Sequence, residues 1–373
     1  MKYLILLVML NFIRATATAD EVRFYLGTYT EGRISRGVYT GKLDTGTGRL
    51  GPLELAAETA SPNYLALSPN GKFLYASSRN SVAAFRVEAD GRLATLNDLP
   101  AGDGTCHVSV DATGRNVLAA NYNGGSVACF QTRLDGSLAA RTAFIQLTGS
   151  GPNPERQQHP YLHSIYPDEQ NRLVYACDLG TDNIWLFHLD AANGTLTLEA
   201  GKAGKVPAGS GPRHLAMHPN GRFAYVNGEM GLNVTAFARD PATGELTALQ
   251  TLPTLPTGAP SNGVTTAEII CHPSGRWLYL SNRAHDSITV YAIAADGRLK
   301  WIENAPAGVK VPRGFGIDPT GRWLIAAGQQ DNKIAVLKID SATGRLSATD
   351  QCATVGSPVC VLFAPKPPLP DLK

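Results

Sequence analysis

Six copies of one sentence run along the chain, and that repetition limits what it can fold into more sharply than length or composition does. Each copy reads as a small apolar strand, a turn of the Pro/Asp-x-Gly-Arg kind, a second apolar strand, a polar break and a third strand. Leu65-Ala-Leu-Ser-Pro-Asn-Gly-Lys-Phe-Leu-Tyr75 states the opening, Ser81 to Val87 supplies the third strand, and Asp90-Gly-Arg-Leu93 closes the unit. Later copies begin near His107, His163, His214, Ile269 and Gly314, with their turns at Asp111 to Gly114, Pro167 to Arg172, Pro219 to Arg222, Pro273 to Arg276 and Asp318 to Arg322. The turns recur roughly every 42 to 56 residues, close to the period of four-stranded propeller blades. Composition agrees: 43% hydrophobic and 17% charged residues, with 38 Gly and 24 Pro in 373, suit many short strands joined by tight turns.

A seventh copy is split between the ends of the chain. Phe24 to Leu50 holds only the later strands of a unit, while Ser357-Pro-Val-Cys-Val-Leu-Phe363 has the wording of an opening strand with nothing after it. Pairing the two ends supplies the missing piece and leaves no open ring edge. The expected fold is therefore all-β, a seven-bladed β-propeller of four-stranded antiparallel blades, its ring closed by the C-terminal strand completing the first blade.

The first residues read differently. Lys2, the apolar run Tyr3 to Leu10 and the small-residue site Ala17-Thr18-Ala19 before Asp20 predict a signal peptide over residues 1–19, with one propeller domain over 20–373. The run is too short to span a bilayer, and the alternative is an uncleaved membrane tether. A periplasmic or secreted monomer without membrane contact after cleavage is the expected product. Removing Lys2 and Arg14 from the 33 basic residues leaves 31 against 31 acidic ones, which argues against nucleic acid as a partner. The six cysteines (Cys106, Cys129, Cys177, Cys271, Cys352, Cys360) form no CxxC pair and mostly sit in strand-like runs, so buried free thiols are expected, with Cys352 and Cys360 the first pairing to check.

Strand direction turns the repeat into geometry. In an antiparallel blade the start of the first strand and the end of the second lie on one face, opposite the Pro-x-Gly-Arg turns. The shared face then carries His107, His163, Arg213, His214 and Arg313 at first-strand starts, and Arg79, Tyr122, Asp178, Glu229, Arg283, His285 and Gln329 at second-strand ends. First strands are innermost in a propeller, so these side chains can converge at one mouth of the channel as a largely cationic pocket for an anionic ligand. Taken singly, each Arg reads as a solvated cap and each His as a satisfied core residue. Recurrence on one face is what separates a site from scattered capping.

Other motifs lead nowhere. His214-x-x-x-His218 runs from a strand into its turn, which separates the rings by about 13 Å and rules out a helical metal pair. Gly149-Ser-Gly151 and Gly209-Ser-Gly211 precede strands rather than helices, so they form no nucleotide loop. Asn193-Gly-Thr195 and Asn233-Val-Thr235 are glycosylation sequons.

The phrases Gly27-Thr-Tyr-Thr30, Pro160-Tyr-Leu-His-Ser164, Gly209-Ser-Gly-Pro-Arg-His214, Tyr225-Val-Asn-Gly-Glu229, Ser281-Asn-Arg-Ala-His-Asp286 and Pro312-Arg-Gly-Phe-Gly-Ile-Asp318 carry a specific resemblance. The chain after residue 20 resembles the seven-bladed lactonase family, which contains propeller-type 6-phosphogluconolactonases and carboxy-muconate cyclases. The resemblance implies that His163, Arg213, Glu229 and Arg283 form the catalytic set, without cofactor or metal. The family pattern has Asn before that glutamate, where this chain has Gly228.

Lactone opening needs water delivered to an ester carbonyl, relief of charge growing on its oxygen, and a grip on the polyol or phosphate. Glu229 or His163 can serve as base, Arg213 and Arg283 can stabilise the oxyanion or hold an anion, and His214, His285, Arg313, Gln329 and His107 can bind substrate. The leading expectation is a metal-independent hydrolase opening a small-molecule sugar lactone, with export favouring an unphosphorylated aldonolactone over 6-phosphogluconolactone. The alternatives are a muconate-type cycloisomerase and a non-catalytic propeller that binds protein or glycan.

Overall fold

The computed structural model describes residues 21–32 and 34–365; the expected leader over residues 1–19 lies outside them. The alternating apolar runs fold into seven four-stranded antiparallel sheets, and no helix occurs among the described residues. The blades follow one another around the ring. Counting from the N-terminus, the inner strands of blades 2 to 7 are Pro62–Leu67, Thr105–Val110, Leu162–Pro167, Pro212–Met217, Thr265–Cys271 and Pro312–Ile317. Blade 1 takes its inner strand, Pro358–Phe363, from the far end of the chain. That strand pairs antiparallel with Glu21–Thr28, Leu26 opposite Val361, so the expected ring closure is formed.

Packing holds the ring between blades, not within them. Seven buried clusters each straddle a blade junction: Tyr25 and Val38 of blade 1 meet Leu74 and Phe85 of blade 2, and Phe24 and Leu26 meet Trp323 and Ile325 of blade 7. Second strands are apolar on both faces because both are covered, as in Asn116–Asn121, buried throughout. A tyrosine of the second strand also reaches the closing turn of the next blade: Tyr75, Tyr175, Tyr225 and Tyr279 donate to the carbonyls of Gly136, Gly244, Gly297 and Gly344 at 2.8–3.2 Å. On the face of the Pro-x-Gly-Arg turns, His218 and His272 bond through Nε2 to the carbonyls of Gly275 and Gly321 in the following blades. His218 therefore belongs to the far face, away from His214.

All six cysteines are free. Cys129, Cys177 and Cys360 are buried, Cys106 and Cys271 half-buried, and Cys352 exposed, so no Cys352–Cys360 disulfide is made. The sequon Asn233 uses its amide to bond Ser210 Oγ at 2.9 Å, whereas Asn193 lies in an exposed turn.

One irregularity recurs in every blade. Each inner strand carries a β-bulge near its start, where it holds one residue more than the strand beside it. Pairing skips Asn63, Cys106, His163, Arg313 and Val359 in blades 2, 3, 4, 7 and 1. In blades 5 and 6 the pairs Arg213-His214 and Ala267-Glu268 stand opposite single residues, Asn227 and Ser281. Side chains of the second strand accept the amides the bulges free: Asn227 from His214, Ser281 from Glu268 and Ser77 from Tyr64.

Close backbone approach at the ring seam needs glycine. A Cβ on Gly314 would sit 2.3 Å from the carbonyl oxygen of Val359 on the closing strand, which cannot swing aside as a side chain can. Gly314→Ala is expected to lower the unfolding free energy by about 1–3 kcal/mol, read from equilibrium urea titration. Gly201→Ala, with nothing within 4 Å of its new methyl, should change it little. Equal midpoints for the two variants would show that the seam tolerates the methyl and is not the tight point of the ring.

Candidate active site

The bulged residues and the ends of the second strands meet at one mouth of the central channel, around a cavity of about 480 Å³. Inner strands contribute Asn63, Cys106, His163 and Arg313 to its wall, second-strand ends contribute Arg79, Tyr122, Glu229 and Arg283, and Tyr29 and Arg156 also border it. Beneath it a void of about 10 Å³ is bounded by Tyr64, Arg213, His214 and Glu268. That is room for roughly one water.

Glu229 is the centre of charge. Its Oε2 lies 3.0 Å from Arg213 Nε and 3.2 Å from Arg283 Nη2, and its Oε1 lies 2.9 Å from Arg156 Nη2. Burial alone would push this carboxyl up, but Arg283, Arg213 and Arg156 outweigh it and hold it at about 2. The same balance works on the cations: burial brings Arg283 down to about 10 despite Glu229, so it stays charged at neutral pH. The backbone fixes the carboxylate from behind, with Glu229 N–H donating to Gly211 at 2.8 Å. Gly228 is required here because a Cβ would come within 2.4 Å of Asn233 Oδ1 and 2.9 Å of Ser210 Cβ.

His163 stands on the other side of Glu229, with Nε2 4.0 Å from Oε2. Its Nδ1 is buried with no hydrogen-bond partner. Burial, then the positive field of Arg213, pushes its pKa well below the usual value, so the ring is neutral at physiological pH. Edge-on rings continue downward: His163 to His214 at 5.2 Å, and His214 to His107 at 5.4 Å, between ring centres.

Of the residues expected from the sequence, His163, Glu229, Arg283 and Arg313 border the cavity together. Arg213 and His214 lie just below it around the small void. His107 is deeper, stacked on Tyr64 at 4.1 Å and away from the cavity wall. His285 and Gln329 do not line the cavity. After Arg283 the chain turns through positive φ at Ala284 and Asp286, and His285 bonds Ser287 Oγ instead. Gln329 follows the end of its strand, where its backbone N–H donates to the Val311 carbonyl and its carbonyl accepts from Ser357 Oγ. Asp178 is consumed locally by Thr181, Trp185 and two backbone amides.

Two charged residues were not foreseen. Arg156 belongs to an irregular segment between blades 3 and 4 that follows no repeat, so nothing in its spacing marks it. Glu268 was discoverable: it stands four residues before the turn residue His272, as His214 stands before His218.

Such a site can hold an anionic or polyol ligand against guanidinium groups while a neutral imidazole takes a proton beside them. Proteins of known sequence and structure carry the same framework. The family model described as Lactonase, 7-bladed beta-propeller, matches residues 23–363. A 6-phosphogluconolactonase of Bacillus subtilis is 36% identical over 346 residues, covering 91% of this chain and 97% of that protein. The crystal structure of a protein from Lactobacillus plantarum superposes with a TM-score of 0.86 at 32% identity, over 92% of this chain and 99% of that one. The periplasmic gluconolactonase of Pseudomonas aeruginosa gives a TM-score of 0.85 at 28% identity, over 93% of this chain and 100% of that one. With the match running through all seven blades, the chain belongs to the seven-bladed β-propeller lactonase family.

Proposed function

We propose that this protein is a hydrolase that opens sugar lactones in the cavity around Glu229, and that His163 is the general base. The observation that carries the assignment is that both oxygens of Glu229 are already engaged by guanidinium groups, which leaves it a weak proton acceptor. His163, neutral and 4.0 Å away, is free to take the proton of an attacking water. Glu229 then orients that water and keeps the arginines in place. Arg283 borders the cavity and meets the charge that develops on the carbonyl oxygen, while Arg213, below, braces Glu229.

The natural substrate in this reading is an unphosphorylated aldonolactone met outside the cytoplasm. The leader-like residues 1–19 and the likeness to a periplasmic gluconolactonase support it. The polyol would lie against Asn63, Arg79 and Arg313, the last making no ion pair among the described residues and resting 5.5 Å over the ring of Tyr29.

Three outcomes test this. Purified protein should open glucono-lactones well above the spontaneous rate, with Arg283→Ala lowering kcat about 10²–10³-fold and His163→Asn about 10²–10⁴-fold. Wild-type turnover of a carboxy-muconate in place of any lactone would transfer the site to the cycloisomerase class. Because Glu229 sits at about 2 and burial with Arg213 holds His163 well below its ordinary 6.5, both are unprotonated at neutral pH. Enzymatic kcat/KM is therefore expected to fall in acid solution as His163 gains its proton, with the midpoint of that loss below 6.5; a midpoint above 6.5 would contradict His163 as the base. Finally, glucono-lactone should be preferred over its 6-phosphate, and the exported protein should begin at Asp20 by intact mass. A strong preference for the phosphate, with Met1 retained, would return the enzyme to the cytoplasm.

A further inference from the structure

The mechanism above leaves unused the buried carboxyl group that borders the small void beneath the cavity. Glu268, 5% exposed, sits below the cavity on the inner strand of blade 6, and its Oε1 is 2.7 Å from His214 Nδ1. His214 Nε2 is 3.2 Å from Arg213 Nη1. A guanidinium can only donate, so Nε2 must be the acceptor and Nδ1 must carry the proton it gives to Glu268. Arg213 Nη1 also donates to the carbonyl of Ala267 at 2.5 Å, and its Nε to Glu229 at 3.0 Å. The result is one connected chain in which Arg213 donates on one side to Glu229 and on the other to His214, which donates in turn to Glu268, so that it links blade 6 to the active carboxylate in blade 5.

We infer that Glu268 is a positioning residue for lactone opening: by accepting the His214 Nδ1 proton it sets the tautomer that holds Arg213, and through Arg213 it aims Glu229. This rests on the assignment of Glu229 and His163 to the reacting centre. Without Glu268 the imidazole is free to move its proton to Nε2, where it confronts an Arg213 N–H and displaces the guanidinium. The bulge in blade 6 places Glu268 where it meets His214, and Ser281 accepts the amide that the bulge frees.

The test uses Glu268→Leu and Glu268→Gln in the otherwise intact protein. Glu268→Leu should lower kcat about 30–100-fold with KM changed less than about threefold, in line with the loss expected from a misplaced catalytic group. Glu268→Gln, whose amide oxygen still accepts from Nδ1–H, should recover to within about fivefold of wild type. In an Arg213→Ala background Glu268→Leu should cost no further activity. Nitrogen-15 NMR of the imidazoles reads the device directly and needs no turnover: His214 protonated on Nδ1 in wild type and Glu268→Gln, and shifted toward Nε2 in Glu268→Leu. A wild-type His214 protonated on Nε2, or an undiminished effect of Glu268→Leu without Arg213, overturns the inference. Absence of lactone turnover with the expected tautomers removes the assigned reaction but leaves the Glu268–His214–Arg213 chain standing.

Discussion

Everything at the channel mouth depends on the β-bulge near the start of each inner strand. A regular strand sends successive side chains to opposite faces, so one residue of each neighbouring pair would be buried between blades and lost to the channel. The extra residue breaks that alternation and turns a side chain inward at the same height in every blade. Asn63, Cys106, His163, Arg213 and Arg313 occupy that height, with Tyr64, His107, His214 and Glu268 one position later. The ring thereby builds two stacked layers of polar residues inside an otherwise apolar body.

Burying so much charge is tolerable only because it is paired in a definite order. Glu229 without its arginines, or Arg213, 2% exposed, without its carboxylate, would be strongly destabilising. Together with Arg156 and Arg283 they form a cluster with a positive excess, which the fold can carry because the cavity opens to solvent and to ligand. The histidines below remain neutral because burial and Arg213 both oppose their charging. Positive charge is thus kept at the wall, and neutral proton-accepting nitrogen beside it.

Much of this was legible in the chain. The turns, the strand order and the shared face of His163, Arg213, Glu229 and Arg283 follow from period and direction, which are local properties of sequence. His285 lies outside the cavity because the turn after its strand is set by positive φ at Ala284 and Asp286, which no residue pattern announces, and Gln329 lies outside it one position past its own strand, its backbone bonded to Val311 and Ser357. Glu268 escapes a reading that begins this copy of the repeat at the apolar run from Ile269. Counting back from the turn instead of forward from the apolar run would have aligned it with His214.

By itself, the sequence determined the seven-fold repeat, the closure of the ring by its own C-terminal strand and the face on which chemistry belongs. These depend on apolar periodicity and turn residues that act over a few positions. Only the tertiary structure decided which residues touch. Arg156 reaches Glu229 across 73 positions of chain, and Glu268 reaches His214 across 54. Such contacts are selected by the bulges and by the packing of blade against blade, where charge, space and hydrogen-bond direction must be satisfied together.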